Sequence, residues 1–366
     1  MRLLYATSID LPSTRANRLQ ITSMAKEFHR LLGDNFVLGL REKKEQYALT
    51  VPYTELGKHT RSYALAWKYL RLAKEGGFSH VYCREERLLF FMMFFNQVFF
   101  RLPLQFCYEI HHLVSLHAWW HCYVMNHAAR LISITRAMKD ALVSLGYPEQ
   151  SILVAPDAVD IAMFDTVVSK SEARGKLALP RDKYIIVYTG TIDELWKGVD
   201  VLYQSAKRLG EDYLCVIVGG KPHYVVDFNT RHTPIPNFLL IGYRPHDEIP
   251  LYLKAADVLV LPNSAQAEIS RIGTSPMKLF EYMAASRPIV GSDLPSLREI
   301  LHEQNAFLVP PDDADALAQG IQAIVTDPQR GTALAAQARR DASAHTWGNR
   351  ARRILTFLRE PRFSSL

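Results

Sequence analysis

Four cysteines in 366 residues are too few and too scattered to organise this chain. Cys83, Cys107, Cys122 and Cys215 form no CxxC pair and have no histidine at zinc-ligand spacing. That pattern points away from a disulfide framework or a zinc module, and toward reduced, mostly buried thiols of a cytoplasmic protein. Long apolar runs are missing too. The strongest, Leu88 to Phe100 (LLFFMMFFNQVFF), is interrupted by Asn96 and Gln97 and bounded by Arg87 and Arg101. A bilayer span needs roughly 20 apolar residues, so this run should not cross a membrane. Two readings stay open for it: a core helix apolar all round, or a helix leaning on a membrane interface beside Arg101, Trp119 and Trp120. The opening MRLLYATSID is too short and too polar beyond Ala6 for a signal peptide and reads as a first strand. There is no basic run long enough for nucleic acid, although the net charge of +6 suits anionic phospholipid or phosphorylated substrates. No GxGxxG follows the first strand, and no Ser/His/Asp or Cys/His arrangement stands out. The one Asp-x-Asp spacing, Asp313-Ala314-Asp315, follows Pro310-Pro311 and precedes a helix, where an N-cap explains it better than a metal.

What is present is an ordinary globular composition, 48% hydrophobic and 22% charged, long enough for two domains. Strand patterns alternate with helix patterns throughout. Arg2–Ile9, Asn35–Leu40, Ser79–Arg84, Leu104–Glu109, Ala129–Thr135 and Ser151–Ala155 read as strands. They are separated by helical patterns that include Arg18–Leu32, Tyr63–Glu75 and Arg136–Leu145. After Pro156-Asp157-Ala158-Val159-Asp160 the alternation restarts with Lys183–Tyr188, Leu214–Val218, Phe238–Ile241 and Val258–Leu261. The expected class is α/β: two Rossmann-like, doubly wound parallel-sheet domains over 1–165 and 166–345 facing across a cleft, with a final helix over 346–366. Ligands bind such sheets at the carboxyl ends of strands, where Gly190, Gly219, Tyr243 and Thr274 fall.

The densest signal is Thr274–Asp293, TSPMKLFEYMAASRPIVGSD. Gly273, Thr274 and Ser275 make a small-residue loop, and Pro276 suits the first turn of a helix. Met277, Leu279, Phe280 and Met283 supply apolar positions at helical spacing, leaving Lys278 and Glu281 to face elsewhere. Pro288 stops the helix near Ala285–Ser286, and Ile289-Val290 begin a buried strand. A loop entering a helix presents unpaired N–H groups and a positive dipole end, which together favour an anion. The plainer alternative is one more loop–helix–strand unit with Glu281 merely solvated.

This stretch resembles the signature of nucleotide-sugar-dependent glycosyltransferases of the large retaining family 4, which have the two-domain GT-B fold. The resemblance implies that the loop amides of Gly273, Thr274 and Ser275, with Pro276 and Met277 beside them, surround the donor diphosphate and that Glu281 binds the ribose hydroxyls. Gly273 stands where most members have a first glutamate, and Glu268 is the candidate to replace it. The family carries a histidine just after the strand ending at Glu109; His111 matches better than His112, and either can bond a sugar hydroxyl as neutral imidazole. Lys197 matches the family lysine that neutralises the leaving diphosphate after Gly190. Thr191 occupies the position of its partner arginine, for which Arg244 or Arg271 are substitutes. Gly219 completes the expected donor site, with Tyr243 and Arg244 near the base. Arg15 and Asn17, in the first strand–loop–helix, are candidates to touch the acceptor, or else a turn and N-cap only.

The implied activity is transfer of a hexose-type sugar from a UDP- or GDP-sugar to a glycan or lipid-linked acceptor, with retention by same-face attack. Cell-surface polysaccharide or glycolipid biosynthesis is the expected setting. No metal and no resident cofactor are expected, since the nucleotide-sugar is a substrate. The expected location is the cytoplasm, with peripheral attachment to the inner face of the membrane as an option. Rivals are a GT-B-fold nucleotide-sugar 2-epimerase and a degenerate, non-catalytic GT-B subunit, the latter motivated by Gly273 and Thr191.

Overall fold

The structure, a computed structural model, describes residues 1–11, 16–44, 48–57, 60–111 and 119–360, with the backbone alone at Ala16 and Asn17. The chain divides into two units: Met1–Asp157 with Trp347–Leu366, and Ala158–Thr346. The first division falls earlier than residue 165 for a visible reason. Val159 bridges to Thr346, Phe164 packs edge-on against His246, and Asp165 pairs with Arg339 at 2.6 Å, all within the second unit.

In the first unit the order is β1 (Leu3–Ala6), β2 (Asp10–Leu11), α1 (Ala16–Leu32), β3 (Phe36–Leu40), β4 (Glu42–Lys43), β5 (Tyr53–Glu55), α2 (Ser62–Glu75) and β6 (His80–Cys83). There follow α3 (Glu86–Phe95), β7 (Gln105–Ile110), α4 (Trp119–His127), β8 (Arg130–Ser133), α5 (Arg136–Ser144) and β9 (Ile152–Val154). The main sheet is parallel, in the order β5-β3-β1-β6-β7-β8-β9, so the strand order reverses between β1 and β6. Alternation sends Leu4 and Val81 into one apolar layer and Tyr5 and Tyr82 into the other, where their rings meet edge-on at 4.8 Å. Both faces are therefore covered, as a parallel sheet requires.

The Leu88–Phe100 run fits neither expectation entirely. Leu88, Leu89, Met92 and Met93 of α3 are buried, but Phe94, Val98 and Phe99 are exposed, so the helix is half core and half surface. After Phe95 it continues as a π-helical turn, Asn96–Phe100, ending at Arg101 with φ of 51°. The Asn96 side chain closes that turn by donating to the Leu102 carbonyl and accepting from the Leu102 amide, at 3.0 and 2.9 Å. No helix among the described residues is long and apolar enough to cross a membrane.

The second unit contains α6 (Ile161–Phe164), α7 (Lys170–Lys176), β10 (Tyr184–Thr189), α8 (Val199–Ala206), β11 (Tyr213–Val218), α9 (Pro222–Arg231), β12 (Phe238–Gly242), α10 (Ile249–Ala255) and β13 (Val258–Leu261). It continues through α11 (Glu268–Arg271), α12 (Met277–Ala284), β14 (Ile289–Ser292), α13 (Pro295–Arg298), β15 (Phe307–Val309), α14 (Ala314–Thr326) and α15 (Pro328–Ala342). Its parallel sheet runs β12-β11-β10-β13-β14-β15, reversing between β10 and β13. Ile185 and Val187 enter one core layer, Ile186 and Tyr188 the other. Both sheets are doubly wound and Rossmann-like, the architecture of the GT-B fold.

The last helix, α16 (Trp347–Arg359), returns to the first unit and packs on α1. Polar bonds fix it. Arg350 donates to the carbonyls of Pro156 and Ala155 and pairs with Glu109 at 3.1 Å, while Arg130 donates to the Phe357 carbonyl at 3.2 Å. Arg350 and Glu109 are almost wholly buried, so removing one partner strands the other. Arg350→Ala should lower the unfolding free energy by about 3–5 kcal/mol, the usual result of breaking a buried pair. Urea denaturation of variant and wild type measures it.

Candidate active site

At the reversal point of the second sheet, three glycines let backbone and side chains approach closely. Gly190 follows β10 with φ of +133°, and a Cβ there would come within 2.5 Å of the Lys278 ammonium. Gly219, φ +138°, follows β11; a Cβ on it would overlap the Gly190 carbonyl. Gly198, φ +71°, presses the loop 190–198 onto the Pro262 carbonyl at the end of β13, and Ser264 donates to the Trp196 carbonyl at 2.8 Å. Helix α12 is bound to the same corner: the Tyr282 hydroxyl accepts from the Thr189 amide at 2.7 Å. Tyr188 in turn donates its hydroxyl to the Thr191 carbonyl at 3.0 Å.

These contacts gather Gly190, Thr191, Lys197 and Lys278. The Lys197 ammonium is answered within its own loop, 2.9 Å from Glu194 and 3.4 Å from Asp193, and it donates to the Thr191 hydroxyl. Lys278 lies over the Tyr188 ring, 3.8 Å from its centroid. Burial holds its ammonium well below the ordinary lysine range, Lys197 adds repulsion, and Glu281 partly opposes both.

Glu281 is buried on α12 and its Oε1 accepts from His246 Nε2 at 2.7 Å. Burial alone would lower His246, but the bond to Glu281 and that carboxylate's charge leave it raised. Thr274 and Ser275 are buried ahead of α12. Two expectations need correction here. The Gly273 amide is spent on the Ile269 carbonyl at 3.0 Å, because α11 ends there, so it is not free for an anion. Pro276 is the N-cap of α12 and not in its first turn; Met277 is the first helical residue. Arg244 donates to the Tyr252 hydroxyl at 3.2 Å beside exposed Tyr243, and Arg271 donates to the Ala265 carbonyl at 3.0 Å. Asp313 caps α14 by accepting from the Ala316 amide at 2.8 Å, and Asp315 pairs with Arg208.

In the first unit the carboxyl ends of the strands hold a buried charged cluster. Glu109 Oε1 accepts from His111 Nε2 at 2.6 Å, Gln20 at 2.9 Å and Arg350 at 3.1 Å; Gln20 also donates to Asp157 at 2.6 Å. Burial raises Glu109, yet Arg350 and His111 outweigh it and hold the group at about 2. Glu109 is thus ionised and can only accept, so His111 carries its proton on Nε2 and presents a lone pair on Nδ1. Burial, helped by Arg84, lowers His111 to about 4, which keeps that imidazole neutral. Such a ring can accept a bond from a sugar hydroxyl. Arg15 and His112 lie outside the described residues, as does the Asn17 side chain.

Sequence reading missed His246, Lys278 and the Glu109 network. Lys278 was legible as a cation three positions before Glu281 and on the same helix face, but no role was assigned to it. Nothing in the sequence links His246 to Glu281; only the packing of α12 does.

Residues 169–341 match the family model described as glycosyl transferases group 1, a stretch lying wholly within the second unit. The chain is 27% identical over 253 residues to D-inositol 3-phosphate glycosyltransferase 1 of Catenulispora acidiphila, covering 64% of this chain and 58% of that one. It is 38% identical over 199 residues to the amylovoran biosynthesis glycosyltransferase AmsK of Erwinia amylovora, covering 51% of this chain and 45% of the other. It therefore spans less than two thirds of the length of these curated relatives. The solved structure of Anabaena HepE in complex with UDP has the same fold, with a TM-score of 0.79 at 19% identity, over 98% of this chain and 99% of that one.

The first-unit cluster makes a pH prediction. His111 is lowered from 6.5 to about 4, so its contribution to stability is complete above pH 6.5 and is lost as the pH falls toward 4. Asp157 is raised by burial from 3.8 to about 6, against Arg350, so its contribution is present at low pH and is lost as the pH rises toward 6. The two oppose each other between pH 4 and 6. Relative to wild type, Asp157→Asn should lose stability as the pH falls through that window, and His111→Gln should gain it. Urea denaturation at a series of pH values checks both signs.

Proposed function

We propose that this protein is a glycosyltransferase. It moves a hexose-type sugar from a UDP- or GDP-sugar to a glycan or lipid-linked acceptor during synthesis of a cell-surface polysaccharide or glycolipid. The observation that carries this reading is the coincidence of two things in one unit. The stretch matching glycosyl transferases group 1 is also the stretch whose sheet reversal point gathers Gly190, Lys197, Lys278 and Glu281. The relatives named above are glycosyltransferases, one of them assigned to amylovoran biosynthesis, and HepE was solved with UDP.

The chemistry follows from charge. Breaking the sugar–phosphate bond leaves negative charge on the diphosphate, which Lys197 and the positive dipole end of α12 can offset as it develops. Glu281 accepts from ribose hydroxyls while His246 fixes its orientation. His111 of the first unit, neutral with a lone pair on Nδ1, can accept a hydrogen bond from a sugar hydroxyl. The resemblance to a retaining family supports attack of the acceptor hydroxyl on the face the phosphate leaves, the hydroxyl proton passing to that phosphate, with retention. No resident cofactor is invoked. Asp313 and Asp315 are already engaged as a helix cap and an ion pair, which supports a metal-independent reaction.

Incubating the purified chain with UDP- and GDP-sugars, with and without glycan and lipid-linked acceptors, and following released nucleotide tests the reading. Turnover should appear with one donor class and survive EDTA. Glu281→Gln should weaken that donor about 10- to 100-fold, the worth of a charge-assisted bond, with the fold intact by circular dichroism. Failure to bind or turn over any donor overturns the function, and activity restored only by Mn²⁺ or Mg²⁺ overturns metal independence. Product formed without an acceptor would favour the epimerase.

The aromatic face of the first unit supports a further part of this reading, contact with an anionic lipid surface that presents the acceptor. Tyr63, Trp67, Phe94, Val98, Phe99 and Trp119 are exposed, and Trp67 meets Phe95, Phe99 and Phe100 at 4.9–5.7 Å. Arg87 and Arg101 bracket the segment in sequence. Exposed aromatics flanked by cations suit a phospholipid interface. Wild type should float with phosphatidylglycerol-containing liposomes in a salt-sensitive way, and a Phe94→Ser, Phe99→Ser variant should not. Equal recovery of both in the soluble fraction would reject lipid contact.

A further inference from the structure

Lys278 of α12, at the corner where Gly190 follows β10, is held differently from the cations near it. Lys197 is answered by Glu194 and Asp193, Arg244 lies 3.9 Å from Glu248 and donates to the Tyr243 carbonyl at 2.9 Å, and Arg271 donates to Ala265. Lys278 has neither a hydrogen-bond acceptor nor a carboxylate at ion-pair distance among the described residues. Its ammonium lies on the face of Tyr188, 3.8 Å from the ring centroid, and against the bare backbone of Gly190. Tyr188 is itself fixed through its hydroxyl to the Thr191 carbonyl, so the ring is a rigid platform. Cation–π attraction holds the ammonium in place but leaves its three N–H donors to find acceptors.

A partly buried ammonium without a carboxylate partner beside a second lysine is an unfavourable arrangement unless an anion joins it. Two lysines converging on a glycine that follows a strand end, next to the opening turn of α12, fit a group carrying at least two negative charges. Thr191, where the resembled family has arginine, offers only a hydroxyl, and that hydroxyl already accepts from Lys197. We propose that Lys278 binds the diphosphate of a nucleoside diphosphate and supplies the charge that an arginine at position 191 would otherwise bring. This rests on the donor reading above and names the residue that carries most of the affinity for the phosphates. Burial and the Lys197 charge depress the Lys278 ammonium, and a bound diphosphate relieves both. Gly190 then has a second reason to be glycine: a methyl group there would displace the ammonium from Tyr188.

The test is titration of the full chain with UDP and GDP, and with uridine and guanosine, for wild type, Lys278→Met, Lys278→Arg and Lys197→Ala. Methionine keeps an unbranched apolar stem on Tyr188, and thermal unfolding confirms that each variant is folded. For whichever diphosphate binds, Lys278→Met should weaken it about 10- to 100-fold, as expected for one charge-assisted bond, and leave the nucleoside unchanged. Lys278→Arg should recover part of the loss, and Lys197→Ala should cost less than Lys278→Met. If wild type and Lys278→Met bind the diphosphate equally, the role of Lys278 is overturned and the donor reading stands. Parallel loss of nucleoside and diphosphate binding in Lys278→Met would also overturn it, since the residue would then shape the base pocket. A wild type that binds neither UDP nor GDP overturns both proposals.

Discussion

The second unit depends on the absence of a side chain at position 190. The left-handed φ there turns the chain off β10, and the missing Cβ leaves room for the Lys278 ammonium above Tyr188. The next glycine along the sheet edge, Gly219, needs the same freedom because its own Cβ would strike the Gly190 carbonyl. Three elements that are distant in sequence thereby converge on a few ångströms of backbone. Tyr282 and the Thr189 amide hold α12 in register with that corner, so the position of Lys278 is set by packing and not by its own rotamer alone.

Much of this architecture was legible. Dense apolar runs such as Tyr184–Thr189 and Val258–Leu261 can only be buried strands in an alternating α/β pattern, and both sheets form as that pattern requires. Short or half-exposed elements were not legible. Phe307–Val309 is only three residues long, and α9 spends its one buried residue, Phe228, on the sheet while the rest faces outward. Of the candidate site, Gly190, Lys197 and Glu281 were named because the segments around them resemble the glycosyltransferase signature, and the structure brings Gly190 and Lys197 to the corner against which α12, the helix of Glu281, is bound. His246 and Glu109 were not, because their partners come from elements far away in sequence and no local pattern records a tertiary hydrogen bond.

The two units treat charge differently. At the first unit's strand ends, Arg350, Glu109, His111, Gln20 and Asp157 bond to one another within the protein. Glu109 Oε2 and Arg350 Nη1 are left without a hydrogen-bond partner among the described residues, and burial together with that mutual contact sets the ionisation states of the cluster. At the second unit's strand ends Lys197 is answered by Glu194 and Asp193, while Lys278 rests on the face of Tyr188. The first arrangement fixes its groups by mutual bonds; the second leaves an ammonium on an aromatic ring.

Because α16 belongs to the unit that opens the chain, that unit is discontinuous in sequence, with all of 158–346 inserted between β9 and its last helix. During synthesis Glu109, His111 and Asp157 leave the ribosome long before Arg350 does. Until then the carboxylates lack their strongest cationic partner, and the carbonyls of Ala155 and Pro156 lack their donor. Completion of the first unit therefore waits until α16 has been made, after every residue of the second unit.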